Sequence, residues 1–367
     1  MDDIILVFSI LLIVLSGLFI FMSFYGSSKQ KELDKFTRHE DNSLDEGVFV
    51  NGIKNFPIKN SKLAIVKTEM GKKIVGMDEF INSMILALIV EWNILVEWVP
   101  GLAKTKTIDI LSQTLWLDFS RIQFTPDMLP SDIVGTDILN SKTNEFEIRF
   151  GPIFANIVLA DEINRTTPKV QSALLEAMQE KKVTIWNTTY DLPGPFFVMA
   201  TQNPLEQEGT YQLPEAQIDR FFFKVLVDYP TKNEETKILD VLENDDFIEI
   251  DKLLSREELV EIQKEVKKVK MSEDIKSYAV RLAKATRVYA AEGVLYGASP
   301  RASICLMQWS KGLAYMENRD YVTIEDIQKI ALLVFRHRII LSYDLIVDWI
   351  SPDKILLDIL SGVKIFE

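Results

Sequence analysis

Hydrophobic and polar positions divide the 367-residue chain into four stretches. The first is predominantly apolar, with no charged side chain from Ile4 to Tyr25. A helix rises about 1.5 Å per residue, so this run is long enough for a bilayer core of about 30 Å. A soluble buried helix is rarely apolar on every face. Asp2 and Asp3 precede the run, and Lys29, Lys31, Lys35 and Arg38 follow it. A cleaved signal peptide instead expects a basic start and a small-residue cleavage site. The charge asymmetry predicts a single-pass membrane anchor over residues 1–28, with the remaining body in the cytoplasm. Residues 29–60 are polar and mixed in charge and read as a tether.

From Leu63, apolar positions recur at helical spacing through Val66, Met70 and Ile74, and Gly76 breaks the pattern. A second apolar helix is predicted over residues 79–90. Short apolar runs at 93–96, 157–160, 196–200 and 221–227 read as buried strands. Residues 104–115 and 167–180 read as helices between them. Strands alternating with helices predict a three-layer α/β domain around a parallel sheet, over residues 61–231. Beyond Pro230 the pattern is almost wholly helical, with helices expected over 278–291, 299–315 and 323–337. They form a smaller second domain, residues 232–367. There is no internal repeat or low-complexity tract.

The formal net charge of −13 makes nucleic acid a poor general partner, because an acidic surface is repelled by phosphate backbones. The single cysteine, Cys305, excludes an internal disulfide and fits a reducing compartment. The two histidines, His39 and His337, are too far apart to suggest a zinc site.

The chemistry lies where predicted strands end. Trp98-Val99-Pro100-Gly101-Leu102-Ala103-Lys104-Thr105 follows a strand and opens a helix. The Walker A pattern, G-x-x-x-x-G-K-S/T, cradles phosphates with backbone N–H groups, and its hydroxyl holds magnesium. Lys104 and Thr105 fit, whereas Trp98 and Ala103 stand where glycines belong. An ordinary strand–turn–helix with a chance Lys-Thr is the alternative. The run Ile157-Val158-Leu159-Ala160 delivers Asp161 and Glu162 at a strand's C-terminal end, where open parallel sheets bind ligands. One carboxylate can hold Mg²⁺ and the next can polarise an attacking water; a solvated acidic turn is the bland alternative. Asn203 follows a third strand and can orient that water, although Asn203-Pro204 alone reads as a turn. Arg220 and Arg301 are cations that phosphoryl transfer can use, although either alone is more often a surface ion pair.

Together these residues resemble the MoxR group of AAA+ ATPases, from about Lys72 to the C-terminus. The specific matches are Val99 through Thr105, Arg121-Ile122-Gln123-Phe124-Thr125-Pro126-Asp127, Leu159 through Arg165, Ala200 through Pro204 and Leu213 through Phe221. The resemblance implies an AAA+ core with a C-terminal helical lid, ATP and Mg²⁺ as cofactors, and a ring, often a hexamer. It implies that Pro100, Gly101, Leu102, Ala103, Lys104 and Thr105 form the phosphate loop, with Val75 and Gly76 near adenine. Asp161 and Thr105 would bind the metal. Glu162, Asn203 and Arg220 would be catalytic, Arg220 as a finger offered to the neighbouring subunit, and Arg301 would reach in from the lid. Residues 138–150 and 183–192 would be hairpins projecting toward the pore. Such proteins remodel protein partners, commonly ones with von Willebrand A domains. The apolar N-terminal run departs from the usual soluble pattern.

The tryptophans fall in unexpected places. Trp98 opens the phosphate loop, Trp186 sits in a tight hairpin, and Trp92, Trp116 and Trp349 lie at helix ends. Trp309 lies within a helix, where local chemistry decides nothing. All six positions look like glycine sites in sequences resembling the MoxR group. Glycine is 15 of 367 residues, about 4%, against an average near 7%. One interpretation is that UGA codons read as glycine in the cell are rendered here as tryptophan. The other is that these are genuine tryptophans in a divergent ATPase. The corresponding functional alternatives are a hydrolysing remodeller and a nucleotide-binding scaffold that has lost hydrolysis. A nucleic-acid motor is disfavoured by charge.

Overall fold

The computed structural model describes residues 57–98, 103–142, 144–202, 210–227, 229–243, 248–288, 293–348 and 350–365. Helices α1 (Ser61–Met70) and α2 (Asp78–Ile89) precede β1 (Ile94–Trp98), α3 (Lys104–Thr114), β2 (Phe119–Gln123) and α4 (Pro130–Val134). The hairpin β3 (Gly135–Asn140) and β4 (Glu145–Phe150) leads to β5 (Ile157–Asp161) and α5 (Pro168–Glu180). A second hairpin, β6 (Lys182–Ile185) and β7 (Thr188–Asp191), precedes β8 (Phe197–Gln202), α6 (Glu215–Ile218) and β9 (Phe223–Val227). The remainder is α7 (Lys232–Glu243), α8 (Arg256–Lys268), α9 (Glu273–Val288), β10 (Val294–Tyr296), α10 (Pro300–Met316), α11 (Ile324–Phe335), β11 (Ile340–Leu341), α12 (Tyr343–Val347) and α13 (Pro352–Gly362).

Five strands form one parallel sheet in the order β2-β5-β8-β1-β9. Parallel strands are covered on both faces, which is why they appear in sequence as unbroken apolar runs. Every residue of β5 is buried. Leu95, Val158, Ala160, Val198 and Ala200 join one cluster with α5 residues Val170, Leu174 and Leu175. Ile94, Val96, Ile157, Leu159, Phe197 and Met199 belong to the other, which runs on through α1–α3 into the helical C-terminal part. Helix starts carry the expected side-chain caps: Ser255 and Glu258 form a reciprocal capping box on α8, and Ser299 caps α10 before Pro300.

The C-terminal helices are pinned to the sheet by Arg338, whose side chain is 1% exposed. Its Nε donates to Asp219 Oδ1 at 2.8 Å, and its terminal nitrogens donate to the carbonyls of Phe222 at 2.9 Å and Phe221 at 2.7 Å. A buried guanidinium needs this many acceptors, because desolvation is otherwise unfavourable by several kcal/mol.

The expectation of a membrane-spanning helix is corrected. Among the described residues no helix is long and apolar enough to cross a membrane. Even α10, at 17 residues, is interrupted by Arg301 and Lys311 and falls short of the roughly 20 apolar residues a bilayer core requires. The run at residues 4–25, like most of the tether at 29–60, lies outside the described residues. Among the described residues the architecture is the α/β core and the helical lid, with no helix that supports the expected anchor or the membrane-anchored localisation.

His337 lies beside this joint, its Nε2 3.4 Å from the Phe221 carbonyl oxygen. Burial, and then the neighbouring Arg338 cation, hold its imidazole well below the usual value. Because the folded pKa is depressed, the unfolded chain takes up the proton first as pH falls. Stability is therefore lost below about pH 6.5, at up to about 1.4 kcal/mol per pH unit. Urea unfolding at pH 5.5 should give a free energy about 1 kcal/mol below that at pH 7.5, and His337→Gln should remove most of that difference. An undiminished difference in the variant would refute the assignment.

Candidate functional site

The C-terminal ends of β1, β5 and β8 gather the polar residues. Beyond β1, Ala103 has a left-handed backbone (φ 50°) and Lys104 begins α3. Lys104 Nζ lies 2.5 Å from Asp161 Oδ1. Thr105 follows in the same first turn. Pro100, Gly101 and Leu102 lie outside the described residues.

Asp161 is 1% exposed, and both its oxygens are engaged. Thr201 Oγ1 donates to Oδ1 at 2.8 Å, and Arg121 donates to Oδ2 from Nη2 at 2.7 Å and from Nε at 3.2 Å. Burial alone would raise the carboxyl pKa, but the bonds from Lys104, Arg121 and Thr201 outweigh it and hold the group below its ordinary range. Asp161 is thus an anion at neutral pH.

Glu162 occupies a left-handed conformation (φ 59°) unusual for a residue with a side chain. Strain of about 1–3 kcal/mol at such positions clusters at functional sites. Its backbone N–H donates to Thr201 Oγ1 at 3.0 Å, so Thr201 ties the two acidic residues together. Gln123 Nε2 donates to Glu162 Oε2 at 2.9 Å, and Arg165 Nε lies 3.1 Å from the same oxygen. Asn203 lies outside the described residues, just beyond Gln202.

A cavity of about 870 Å³ is lined by Gly76, Met77, Phe80, Val225, Val227 and Tyr229 among others. It adjoins α3, where Thr107 Oγ1 contacts Met77 Sδ at 3.6 Å. Gly76 has φ +75°, a backbone conformation that favours glycine, and a Cβ there would crowd the Glu234 side chain at 3.0 Å. Val75 immediately precedes it. This cavity has the size and mixed apolar lining of a ligand pocket.

Arg220 lies in the turn after α6. Arg301 sits in the first turn of α10, with Nη1 3.3 Å from Asp219 Oδ2. The fold thus brings Lys104 against Asp161, with Thr105 and Glu162 as their respective chain neighbours, and brings Arg301 beside Arg220's chain neighbour. Sequence reasoning passed over Arg121, Gln123, Arg165 and Thr201 as site residues, although each lies within a segment of the family resemblance. Finding them needed the sheet order, because Gln123 is opposite Asp161 only once β2 pairs with β5.

The metal fit can be judged from the donor set. Among the described residues no group of three or more His, Cys, Asp or Glu could hold a metal by itself. One carboxylate with one hydroxyl suits Mg²⁺, which keeps most of its ligands as water and phosphate oxygens.

Residues 93–223 match the model of the ATPase family associated with various cellular activities (AAA), and residues 283–356 match an AAA lid domain. The chain is 41% identical over 304 residues to the chaperone MoxR1 of Mycobacterium tuberculosis, covering 81% of this chain and 80% of that protein. The chain belongs to the MoxR family of AAA+ ATPases. It is also 46% identical to the uncharacterized protein YeaC of Bacillus subtilis, over 81% of this chain and 92% of that one. The crystal structure of a Cytophaga hutchinsonii protein described as a candidate ATPase superposes with a TM-score of 0.79 at 46% identity, covering 83% of this chain and 95% of that one. Nucleotide binding and ATP hydrolysis are the activities of this MoxR-type AAA+ family.

The tryptophans divide. Trp116 and Trp186 each have φ 52° and are 60% and 75% exposed, in backbone conformations that favour glycine. Trp92 and Trp309 have no such conformation. Trp92 stacks on Phe222 with centroids 4.4 Å apart, and Trp309 stands edge-on to Phe223 at 3.7 Å. The Trp309 indole nitrogen is nonetheless buried without a hydrogen-bond partner. Trp98 ends β1, and Trp349 lies outside the described residues.

Left-handed backbone disfavours a side chain by about 1–2 kcal/mol, partly offset by glycine's greater freedom when unfolded. Trp116→Gly and Trp186→Gly should each leave the protein equally or more stable, by up to about 1 kcal/mol, as thermal melts would report. A loss above that size would contradict the glycine interpretation, and UGG codons at these positions would end it.

Proposed function

We propose that the protein couples hydrolysis of ATP·Mg²⁺ to remodelling or assembly of protein partners, as a MoxR-type AAA+ ring, most simply a hexamer. The observation that carries this is the convergence of Lys104, Asp161 and Glu162 at the C-terminal edge of the parallel sheet, with Glu162 held in a strained conformation. In this assignment residues 61–231 are the nucleotide-binding core and 232–367 the lid. Pro100, Gly101, Leu102, Ala103 and Lys104 bind the phosphates, while Val75 and Gly76 border the base in the adjacent cavity.

Thr105 and Asp161 would hold Mg²⁺, which supplies charge neutralisation at the phosphates when bound. Glu162 polarises the attacking water and Asn203 orients it. Gln123 and Arg165 hold the Glu162 carboxylate until water and nucleotide are in place. Arg220 is offered to the neighbouring subunit's nucleotide, and Arg301 reaches the γ-phosphate from the lid. The mycobacterial relative's description as a chaperone supports protein clients. The two hairpins support them too: Phe146 and Trp186 on them are exposed large apolar side chains. Proteins with von Willebrand A domains are the partner class we expect; the net charge of −13 argues against nucleic acid.

Glu162→Gln should lower turnover by at least about 100-fold while ATP binding persists. Arg220→Ala should also abolish turnover without loss of ATPγS binding; wild-type turnover in that variant would sink the ring mechanism. Trp98 favours the alternative of a scaffold without hydrolysis. Nucleotide binding without turnover, in both wild type and Trp98→Gly, would establish it.

A further inference from the structure

Asp219 occupies an unusual position. Its Oδ1 accepts from Arg338 Nε at 2.8 Å, and its Oδ2 accepts from Ser299 Oγ at 2.9 Å and Arg301 Nη1 at 3.3 Å. Ser299, Arg301 and Arg338 all lie in the lid, whereas Asp219 lies in the core. Its next residue is Arg220. The backbone N–H groups of both Asp219 and Arg220 bond back into α6, to the carbonyls of Glu215 and Gln217.

The two arginines are held very differently. Arg338 is 1% exposed and also donates to the carbonyls of Val334, Phe221 and Phe222, so it is a fixed pin. Arg301 is 37% exposed, and its contact with Asp219 is a single long bond. A half-exposed pair of this kind is weak and exchangeable. A γ-phosphate offers Arg301 a stronger, bidentate acceptor.

We infer that Asp219 is a positioning residue that retains Arg301 in the nucleotide-free state and releases it to ATP, thereby coupling the lid's grip on one nucleotide to the placement of Arg220. This rests on the proposed function above, in which Arg301 senses the γ-phosphate of its own subunit and Arg220 serves the neighbour's. Releasing Arg301 changes the charge balance at a carboxylate one residue from Arg220. The state of one site thus alters the cation offered to the next, with no long-range path needed. Binding a triphosphate must overcome the Arg301–Asp219 contact; binding a diphosphate need not.

The test is the ratio of ATPγS to ADP affinity in the full-length protein, measured by displacement of a fluorescent nucleotide. Asp219→Asn keeps an oxygen for Arg338 but discards the charge that retains Arg301. It should tighten ATPγS by about fivefold, the factor that roughly 1 kcal/mol represents, and leave ADP unchanged. In an Arg301→Ala background the same substitution should have no effect on the ratio. Ser299→Ala removes the competing donor from Oδ2, so Asp219 should hold Arg301 more firmly and the ratio should shift the other way. This second variant keeps the carboxylate and the Arg338 pair, and so remains informative if Asp219→Asn does not fold. Equal shifts for both nucleotides, or an undiminished effect without Arg301, would overturn the coupling and leave Asp219 a structural residue. If Arg301→Ala alone leaves the ratio unmoved, the assignment of Arg301 to the γ-phosphate fails, and the coupling falls with it. A normal response to Arg301→Ala with an inert Asp219→Asn refutes only the coupling.

Discussion

The Asp161 carboxylate is the point on which the rest of the core depends. It is an anion almost wholly removed from water at the end of a central strand. An unpaired charge in that position would be unfavourable by several kcal/mol. Its partners come from three elements: Lys104 from α3, Arg121 from β2 and Thr201 from β8. The sheet order β2-β5-β8 puts two of those elements on either side of Asp161. Forming the sheet in this order and satisfying the carboxylate are therefore one requirement. Under the proposed function, Lys104 would serve both the Asp161 carboxylate and a bound phosphate.

The joint between core and lid repeats this device. Asp219 is again a carboxylate shared between cations, here from two lid elements. Arg338 makes the joint permanent by exhausting its donors on buried carbonyls. Arg301 remains accessible beside it. A lid attached in this way is held firmly at one end and can still present a cation to ligand at the other. The large cavity is lined by Gly76 and β9 residues of the core together with Glu234 of α7, so ligand in it would meet groups from several elements at once.

Much of the fold was legible from local pattern. Buried parallel strands read as continuous apolar runs, and the strands near residues 93, 157, 196 and 221 lie close to where those runs predicted them. The hairpin around Trp186 and the helix end at Trp116 were recognisable because their turns require a left-handed residue, whatever the side chain. Local pattern decided nothing at Trp309, and at Trp92 the backbone is not left-handed. Their positions resemble glycine sites, yet each ring packs against strand β9 or its preceding phenylalanine. The apolar N-terminal run was read as a membrane span from its length and flanking charges; it lies outside the described residues, among which no helix provides a span.

The sequence by itself indicated the α/β class, the helical C-terminal part, and Lys104, Thr105, Asp161 and Glu162 as candidates for the chemistry. Those follow from periodicity and from residue types at strand ends, which are properties of a few neighbouring positions. Only the tertiary structure decided that Arg121 and Gln123 belong to the same site, and that Asp219 is shared by Arg301 and Arg338. Asp219 and Arg338 are 119 positions apart in the chain. Such pairings depend on strand order and on how a distant helix docks. A local pattern records whether a residue is buried, but not which charge it meets there.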